Sequence, residues 1–105
     1  MIRATITYKE SLIKEIRVKG HADSGKYGND LVCAGVSTIL TGIVNMLAKK
    51  DFLTRGTIAL SQGNAHIIVH ESTKEDQLIL ETLVTCLETM EADYGKYIKM
   101  IKKEA

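Results

Sequence analysis

The fold is decided by residues 2–19, which read IRATITYKESLIKEIRVK. Apolar and polar residues alternate over 2–9 and again over 12–19, which is the pattern of two strands that each bury one face. Two or three residues around Glu10 and Ser11 separate the runs. Because so short a connection joins antiparallel neighbours, we expect a β-hairpin at the start of the chain.

The two runs also predict which side chains share a face. In the second run, strict alternation puts Leu12, Ile16 and Val18 on one side and Ile13 on the other. The hairpin is followed by residues 20–30, which contain three glycines and almost no apolar residue. A loop of this length in a small domain is often functional.

Downstream of this loop, the chain repeats the same succession of elements. Apolar residues three and four apart predict a helix over 31–50, with Asn29 or Asp30 as its N-cap. A second strand pair is predicted over 54–60 and 65–71, with the turn at Gln62-Gly63-Asn64. A second helix runs from Lys74 to about Asp93, and residues 96–102 either form a last short strand, which we favour, or continue the helix. The order ββαββα predicts an α+β fold, an antiparallel sheet with two helices packed on one face.

Composition limits the classes of function. The chain has 105 residues, of which 45% are hydrophobic, and a net charge of +1. We expect one domain over residues 1–105. The balanced charge predicts no direct contact with nucleic acid, and the absence of an uninterrupted apolar run predicts no membrane partner. The N-terminus does not resemble a signal peptide, so we expect a cytoplasmic protein with reduced cysteines.

Cys33 is the residue around which chemistry is predicted. It lies in the first turn of the predicted helix, where unpaired N–H groups carry about half a positive charge. A helix start stabilises a thiolate and could also stabilise the oxyanion of an acyl-transfer reaction. By composition alone, a cysteine beside Leu31, Val32 and Ala34 is also typical of a buried core position.

A nucleophilic cysteine needs a base, and His21 at the other edge of the loop could supply it. The two side chains can meet if the loop folds back. Asp30 could hold the imidazole or only cap the helix, and its charge would oppose formation of the thiolate. His21 could equally be an ordinary histidine at a loop edge.

Other residues point less strongly to chemistry. His66 and His70 lie four apart on a strand and share a face, but no third ligand supports a metal site. Cys86 lies among apolar residues of the second helix and reads as a core residue. We therefore expect no metal and no cofactor.

The loop and helix start resemble a family signature. The segment Gly20-His21-Ala22, then Gly28, Asp30, Cys33-Ala34 and Val36-Ser37, is similar to the motif of the ribosomal-processing cysteine protease family (Prp, also called YsxB-like). This resemblance implies a cysteine protease without metal or cofactor. It implies that Cys33 is the nucleophile and His21 the general base, with Asp30 and Ser37 in supporting roles.

The resemblance also implies a substrate. In this family, the enzyme removes a short N-terminal extension from large-subunit ribosomal protein twenty-seven, cutting after an aromatic residue during ribosome maturation. Members are usually homodimers. In this sequence, loop 22–29 could close over the peptide as a lid, with Gly25 and Gly28 permitting the motion and Tyr27 contacting the substrate.

Two alternatives remain open on the sequence. In the first, the protein is a non-catalytic ribosome-associated module whose loop binds a ribosomal peptide without cutting it. In that case Cys33 should show the reactivity of an ordinary thiol. In the second, the protein is a structural dimer whose helices pack across a two-fold axis, a role that could coexist with catalysis.

Overall fold

The structure is a computed structural model that describes residues 1–22 and 30–105. Its elements, in chain order, are β1 (Ile2–Lys9), β2 (Leu12–Lys19), α1 (Leu31–Lys49), a short 3-10 turn (Phe52–Thr54), β3 (Gly56–Ser61), β4 (Asn64–Val69), α2 (Lys74–Tyr94) and β5 (Ile98–Glu104). The last segment is therefore a strand, the one of the two predictions that we favoured. The predicted elements all occur, with ends shifted by a few residues.

The strands form one sheet in the order β3-β4-β2-β1-β5. This confirms the predicted α+β class, with one correction to the sheet. β5 runs parallel to β1, while the other neighbouring pairs are antiparallel, so the sheet is mixed. The reason is topological: a single helix returns the chain from β4 to β5, and strands joined by such a crossover run in the same direction.

A bulge in the first hairpin changes the predicted faces. The partner of Thr7 is Glu15, but the partner of Tyr8 is Ile13, so β2 contains one extra residue at this point. As a result, Ile13 is 1% exposed and lies in the core, whereas Leu12 is 52% exposed. The prediction that Leu12 shares the buried face was wrong because alternation holds only where the strand is not bulged.

The core lies between one face of the sheet and the two helices. Buried residues from β1 and β2 meet buried residues of α1 and α2 in a single cluster. From the sheet these are Ile2, Ala4, Ile6, Ile13, Ile16, Val18, Ala65, Ile67, Val69 and Ile98; from the helices they are Val32, Val36, Leu40, Leu47, Leu80, Leu83, Val84 and Leu87. This packing leaves the opposite face of the sheet uncovered by any described element.

Helix α1 has more apolar surface than the core covers. By length and composition it could cross a membrane, with a mean hydropathy of 1.9 over the most apolar window. Only 22% of that window is buried. Its apolar side toward the sheet supplies Val32, Val36, Leu40 and Leu47 to the core. Among its other apolar residues, Ile39, Ile43 and Val44 are partly buried against the core, whereas Leu31 and Met46 are exposed.

Helix α2 begins with a capping box. The Thr73 hydroxyl accepts a hydrogen bond from the Asp76 N–H, and the Asp76 carboxylate accepts one from the Thr73 N–H, both at 3.0 Å. The same carboxylate, which is 0% exposed, receives Nε of Arg55 at 2.7 Å and Nη2 at 3.0 Å. This pair connects α2 to the turn before β3.

Candidate active site

Cys33 occupies the first turn of α1, as the periodicity predicted. Asp30 is the N-cap in an extended conformation, and its Oδ1 accepts a hydrogen bond from the Cys33 N–H at 2.9 Å. The Asp30 carbonyl accepts the first helical bond, from Ala34 at 3.0 Å. The first turn contains no acidic residue. Its positive end is therefore opposed within the helix by no carboxylate other than the cap.

The thiol of Cys33 points back toward the end of β2. Its Sγ accepts a hydrogen bond from the backbone N–H of Ala22 at 3.1 Å. Ala22 is 3% exposed and belongs to the core, whereas Cys33 is half-buried. The burial of Ala22 therefore fixes a donor against the sulfur. This hydrogen bond holds the sulfur beside the end of β2.

His21 lies between this donor and the turn that joins β3 to β4. A Cβ atom at Gly63 would lie 2.8 Å from Nε2 of His21, so the imidazole packs directly on that glycine. Gly63 has a φ of +71°, in the left-handed region. Its carbonyl also accepts a hydrogen bond from Gly20 at 2.9 Å. The turn thus supports both the backbone and the ring of the segment that carries His21.

Cys33 and His21 line the same cleft, which has a volume of about 330 Å³. Its walls come from the start of β1, the end of β2, one side of α1 and the β3–β4 turn. The lining residues are Ile2, Val18, Gly20, His21, Cys33, Val36, Ser37, Leu40, Thr41, Leu60, Ser61, Gln62, Gly63, Asn64 and Ala65. A cleft that combines apolar walls with a thiol and an imidazole can hold a side chain beside a nucleophile.

The sequence-predicted site residues fall into three groups. Cys33, His21 and Ser37 lie together in the cleft, whereas Asp30 does not line it and caps the helix that carries Cys33. The proposed lid residues Gly25, Tyr27 and Gly28 lie outside the described residues. The catalytic and supporting roles assigned to these residues stay predictions.

The β3–β4 turn is the part of the site that the sequence analysis missed. Gly63 was interpreted only as a turn residue, and Leu60 and Ser61 only as parts of a strand. Nothing local indicates that this turn meets His21, because the two segments are some forty residues apart in sequence. A glycine in a tight turn was the one available signal.

Of the two histidines outside the cleft, His66 is bonded to charged side chains of the neighbouring strand. Its Nδ1 accepts a hydrogen bond from Nη2 of Arg17 at 2.9 Å, and its Nε2 pairs with the Glu15 carboxylate. Over residues 1–22 and 30–105, no three His, Cys, Asp or Glu residues are grouped as metal ligands.

Comparison with known proteins identifies related sequences over nearly the whole chain. The family model described as cysteine protease Prp matches residues 1–99. The ribosomal processing cysteine protease Prp of Staphylococcus aureus is 36% identical over 104 residues, covering 95% of this chain and 97% of the relative. The protein of the same name from Bacillus subtilis is 34% identical, covering 95% and 96%.

A solved structure agrees with the fold. The crystal structure of the S. aureus protease in complex with a covalently linked product peptide has a TM-score of 0.88 and 37% identity. The superposition covers 98% of this chain and all of that chain.

Proposed function

This chain belongs to the family of cysteine protease Prp, and we propose that it is a cysteine endopeptidase in which Cys33 is the nucleophile and His21 the general base. The observation that carries this proposal is the environment of the Cys33 sulfur. It lies at a helix start, accepts a backbone N–H at 3.1 Å, and shares a cleft with an imidazole. Each of these features favours a reactive thiolate.

The proposed reaction is acyl transfer to sulfur. His21 takes the proton of the Cys33 thiol, and the thiolate attacks the scissile carbonyl carbon to form a C–S bond. Backbone N–H groups at the start of α1 stabilise the tetrahedral oxyanion. The C–N bond then breaks as His21 gives the proton to the leaving amine, and water hydrolyses the thioester to release the acid and the free thiol.

We propose that the substrate is the N-terminal extension of large-subunit ribosomal protein twenty-seven, cut after an aromatic residue in the cytoplasm during ribosome maturation. The names of the relatives support a ribosomal protein substrate. The walls of the cleft support the aromatic preference, since Val36, Leu40 and Leu60 offer an apolar surface near the sulfur. An aromatic ring gains much of its binding free energy from burying such surface.

The supporting residues take two different roles in this proposal. Asp30 holds the first turn in place by capping the Cys33 N–H. Ser37 is one turn further along α1 and faces the same cleft, where its hydroxyl can hydrogen-bond the substrate backbone.

We also propose that the protein acts as a homodimer. The support is the exposure of Leu31 and Met46, at 80% and 41%, on a helix of strongly apolar composition. Apolar surface left uncovered in a monomer commonly marks an interface. Light scattering behind a sizing column should give twice the chain mass of 11.6 kDa. A single-chain mass at micromolar protein would contradict the dimer.

The test of catalysis uses a peptide that spans the junction of the extension, with products read by mass spectrometry. Wild type should cut once, after the aromatic residue, while Cys33→Ala and His21→Ala should not cut. A peptide with alanine in place of the aromatic residue should be a poor substrate. Because the variants keep the core, circular dichroism provides the control for folding.

The competing proposal is a module that binds the peptide without cutting it. It predicts no product with wild type, an unchanged peptide affinity in Cys33→Ala, and a Cys33 that reacts with iodoacetamide no faster than Cys86. Faster alkylation at Cys33 together with a single cut excludes the module.

A further inference from the structure

The uncovered face of the sheet carries a row of three cations. The register places Arg3 on β1 directly beside Lys19 on β2 and directly beside Lys99 on β5. All three residues are exposed. Because neighbouring strands are about 4.8 Å apart, the three side chains emerge side by side across roughly 10 Å of the sheet. We call Arg3, Lys19 and Lys99 the basic row.

The described part of the chain leaves the basic row without a counter-ion. None of its members forms an ion pair with a described residue. The one carboxylate that the register puts on this face of the described strands is Glu15, and it is paired with His66. Like charges directly opposite each other on a sheet destabilise it. The arrangement therefore has a cost in the isolated protein that an anionic partner would remove.

Further donors surround the row on the same face. Lys103 is exposed and lies four residues after Lys99 on the same face of β5. Arg17 is the next residue on this face of β2, and its Nε is buried without a hydrogen-bond partner. The face thus presents five cationic side chains against one carboxylate, although the chain as a whole has a charge of only +1.

We propose that this face binds the phosphate backbone of structured RNA. A row of cations separated by fixed distances recognises a polyanion. Among the described residues that the register puts on this face, none is Phe, Tyr or Trp, and the imidazole of His66 is held by Arg17 and Glu15. The described face therefore has no free platform for stacking unpaired bases. A flat basic surface of this kind suits the shape and phosphates of an RNA double helix.

The basic row lies next to residues that line the cleft. Arg3 follows Ile2 and Lys19 precedes Gly20, and both Ile2 and Gly20 line the cleft. RNA on the basic row would therefore lie at the same end of the sheet as Cys33. This step rests on the proposed function: a protease for a ribosomal protein would be held beside a substrate that is itself bound to RNA. This proposal differs from the prediction of no contact with nucleic acid. That prediction used the net charge of +1, which does not show where the sheet places the charged side chains.

The test measures binding of a fluorescent RNA duplex of about 20 base pairs, long enough for a surface of this size, by anisotropy. The row variant is Arg3→Gln/Lys19→Gln/Lys99→Gln. The matched control is Lys49→Gln/Lys50→Gln/Lys74→Gln, which removes the same charge from exposed helix ends. We expect wild type and control to bind alike and the row variant to bind at least about tenfold more weakly at low salt.

Salt dependence gives a second readout. The slope of log K against log salt should be less steep in the row variant by about 2 to 3, close to 0.9 for each lost phosphate contact. Equal loss in the control variant, no binding by wild type at about 50 mM salt, or binding to phosphatidylglycerol vesicles in preference to RNA would each overturn the proposal.

Cleavage of the free peptide separates this proposal from the proposed function. None of the six substituted residues lines the cleft, so all three proteins should cut the peptide at the same rate. Loss of RNA binding with normal cleavage supports the basic row, whereas absence of cleavage in all three bears only on the protease.

Discussion

The two helices begin in chemically opposite ways. At α2, the first turn contains Glu75 and Asp76, and the buried Asp76 carboxylate is paired with Thr73 and Arg55. At α1, the first turn contains no acidic residue and presents Cys33 toward a cleft. Both ends have the same unpaired N–H groups and the same partial positive charge.

The partial positive charge of a helix N-terminus can therefore stabilise the fold in one helix and act on a reactive side chain in another. At α2 the positive end is saturated by a carboxylate and stabilises the fold. At α1 the Asp30 carboxylate caps one N–H from outside the helix, while the first turn itself carries an ionisable sulfur that also accepts the Ala22 N–H.

The largest loss of stability should follow from a substitution at the start of α2. Replacing Asp76 with alanine removes the capping box and leaves Arg55 without its partner. We expect the free energy of unfolding to fall by about 3 kcal/mol, the low end for breaking a buried pair, because Arg55 is partly exposed. Urea denaturation measures this loss.

Glu75→Ala is the matched control in the same turn. Glu75 pairs with Lys50 in an exposed bridge at 3.1 Å, so its loss should cost only about 0.5 kcal/mol. Comparable losses in the two variants would show that the buried pair of Asp76 contributes no more stability than the exposed pair of Glu75. Peptide cleavage per folded molecule should be unchanged in both.

The next effect should come from the cleft, through the support of His21. Gly63→Ala places a Cβ where His21 Nε2 lies 2.8 Å away. We expect kcat/KM for the peptide to fall by about a hundredfold, the order expected when a catalytic group is displaced by about 1 Å. The left-handed φ of +71° should also lower stability by about 1 kcal/mol.

Gly63→Asn separates these two causes. Asparagine tolerates a left-handed backbone, so it should lose less stability than alanine, but its Cβ meets the same ring. Both variants should lose similar activity. Full activity in Gly63→Asn would mean that backbone strain, and not contact with His21, explains the alanine variant.

Low pH should destabilise the protein by protonating Asp76 at the start of α2. The Arg55 guanidinium, as the main cause, holds the pKa of Asp76 below its ordinary value of 3.8. The unfolded chain therefore binds this proton more tightly than the folded chain. The stabilisation is complete above pH 3.8 and disappears as the pH falls through the lower, folded-state pKa. Wild type should lose stability across this acidic range, whereas Asp76→Ala should show a flatter profile.

The smallest effect should come from making α1 resemble α2. Leu31, in the first turn of α1, is 80% exposed, so Leu31→Glu adds an acid without disturbing the core. The helix should gain about 0.5 kcal/mol from its dipole. The same charge should slow alkylation of Cys33 by roughly two- to fivefold, since exposed charges interact by up to about 1 kcal/mol.

Leu31→Gln is the control for the change in side-chain shape. It should alkylate at the wild-type rate. If Leu31→Glu and Leu31→Gln react equally fast, the charge at the helix start has no influence on the sulfur.

Local patterns in the sequence determined the elements of this protein. Alternation predicted the strands of the first hairpin, and β-branched residues with a glycine turn predicted those of the second. Three-and-four spacing predicted α1 and α2, and Asn29 or Asp30 was the predicted cap that places Cys33 in a first turn. These features depend on residues within a few positions of one another, so the chain encodes them directly.

Only the tertiary structure decided how the elements meet. The parallel direction of β5, the bulge that buries Ile13, the contact of Gly63 with His21 and the alignment of Arg3 with Lys19 and Lys99 all join segments that are distant in sequence. Register and strand order are chosen by burial of the whole core, and no local pattern carries that information.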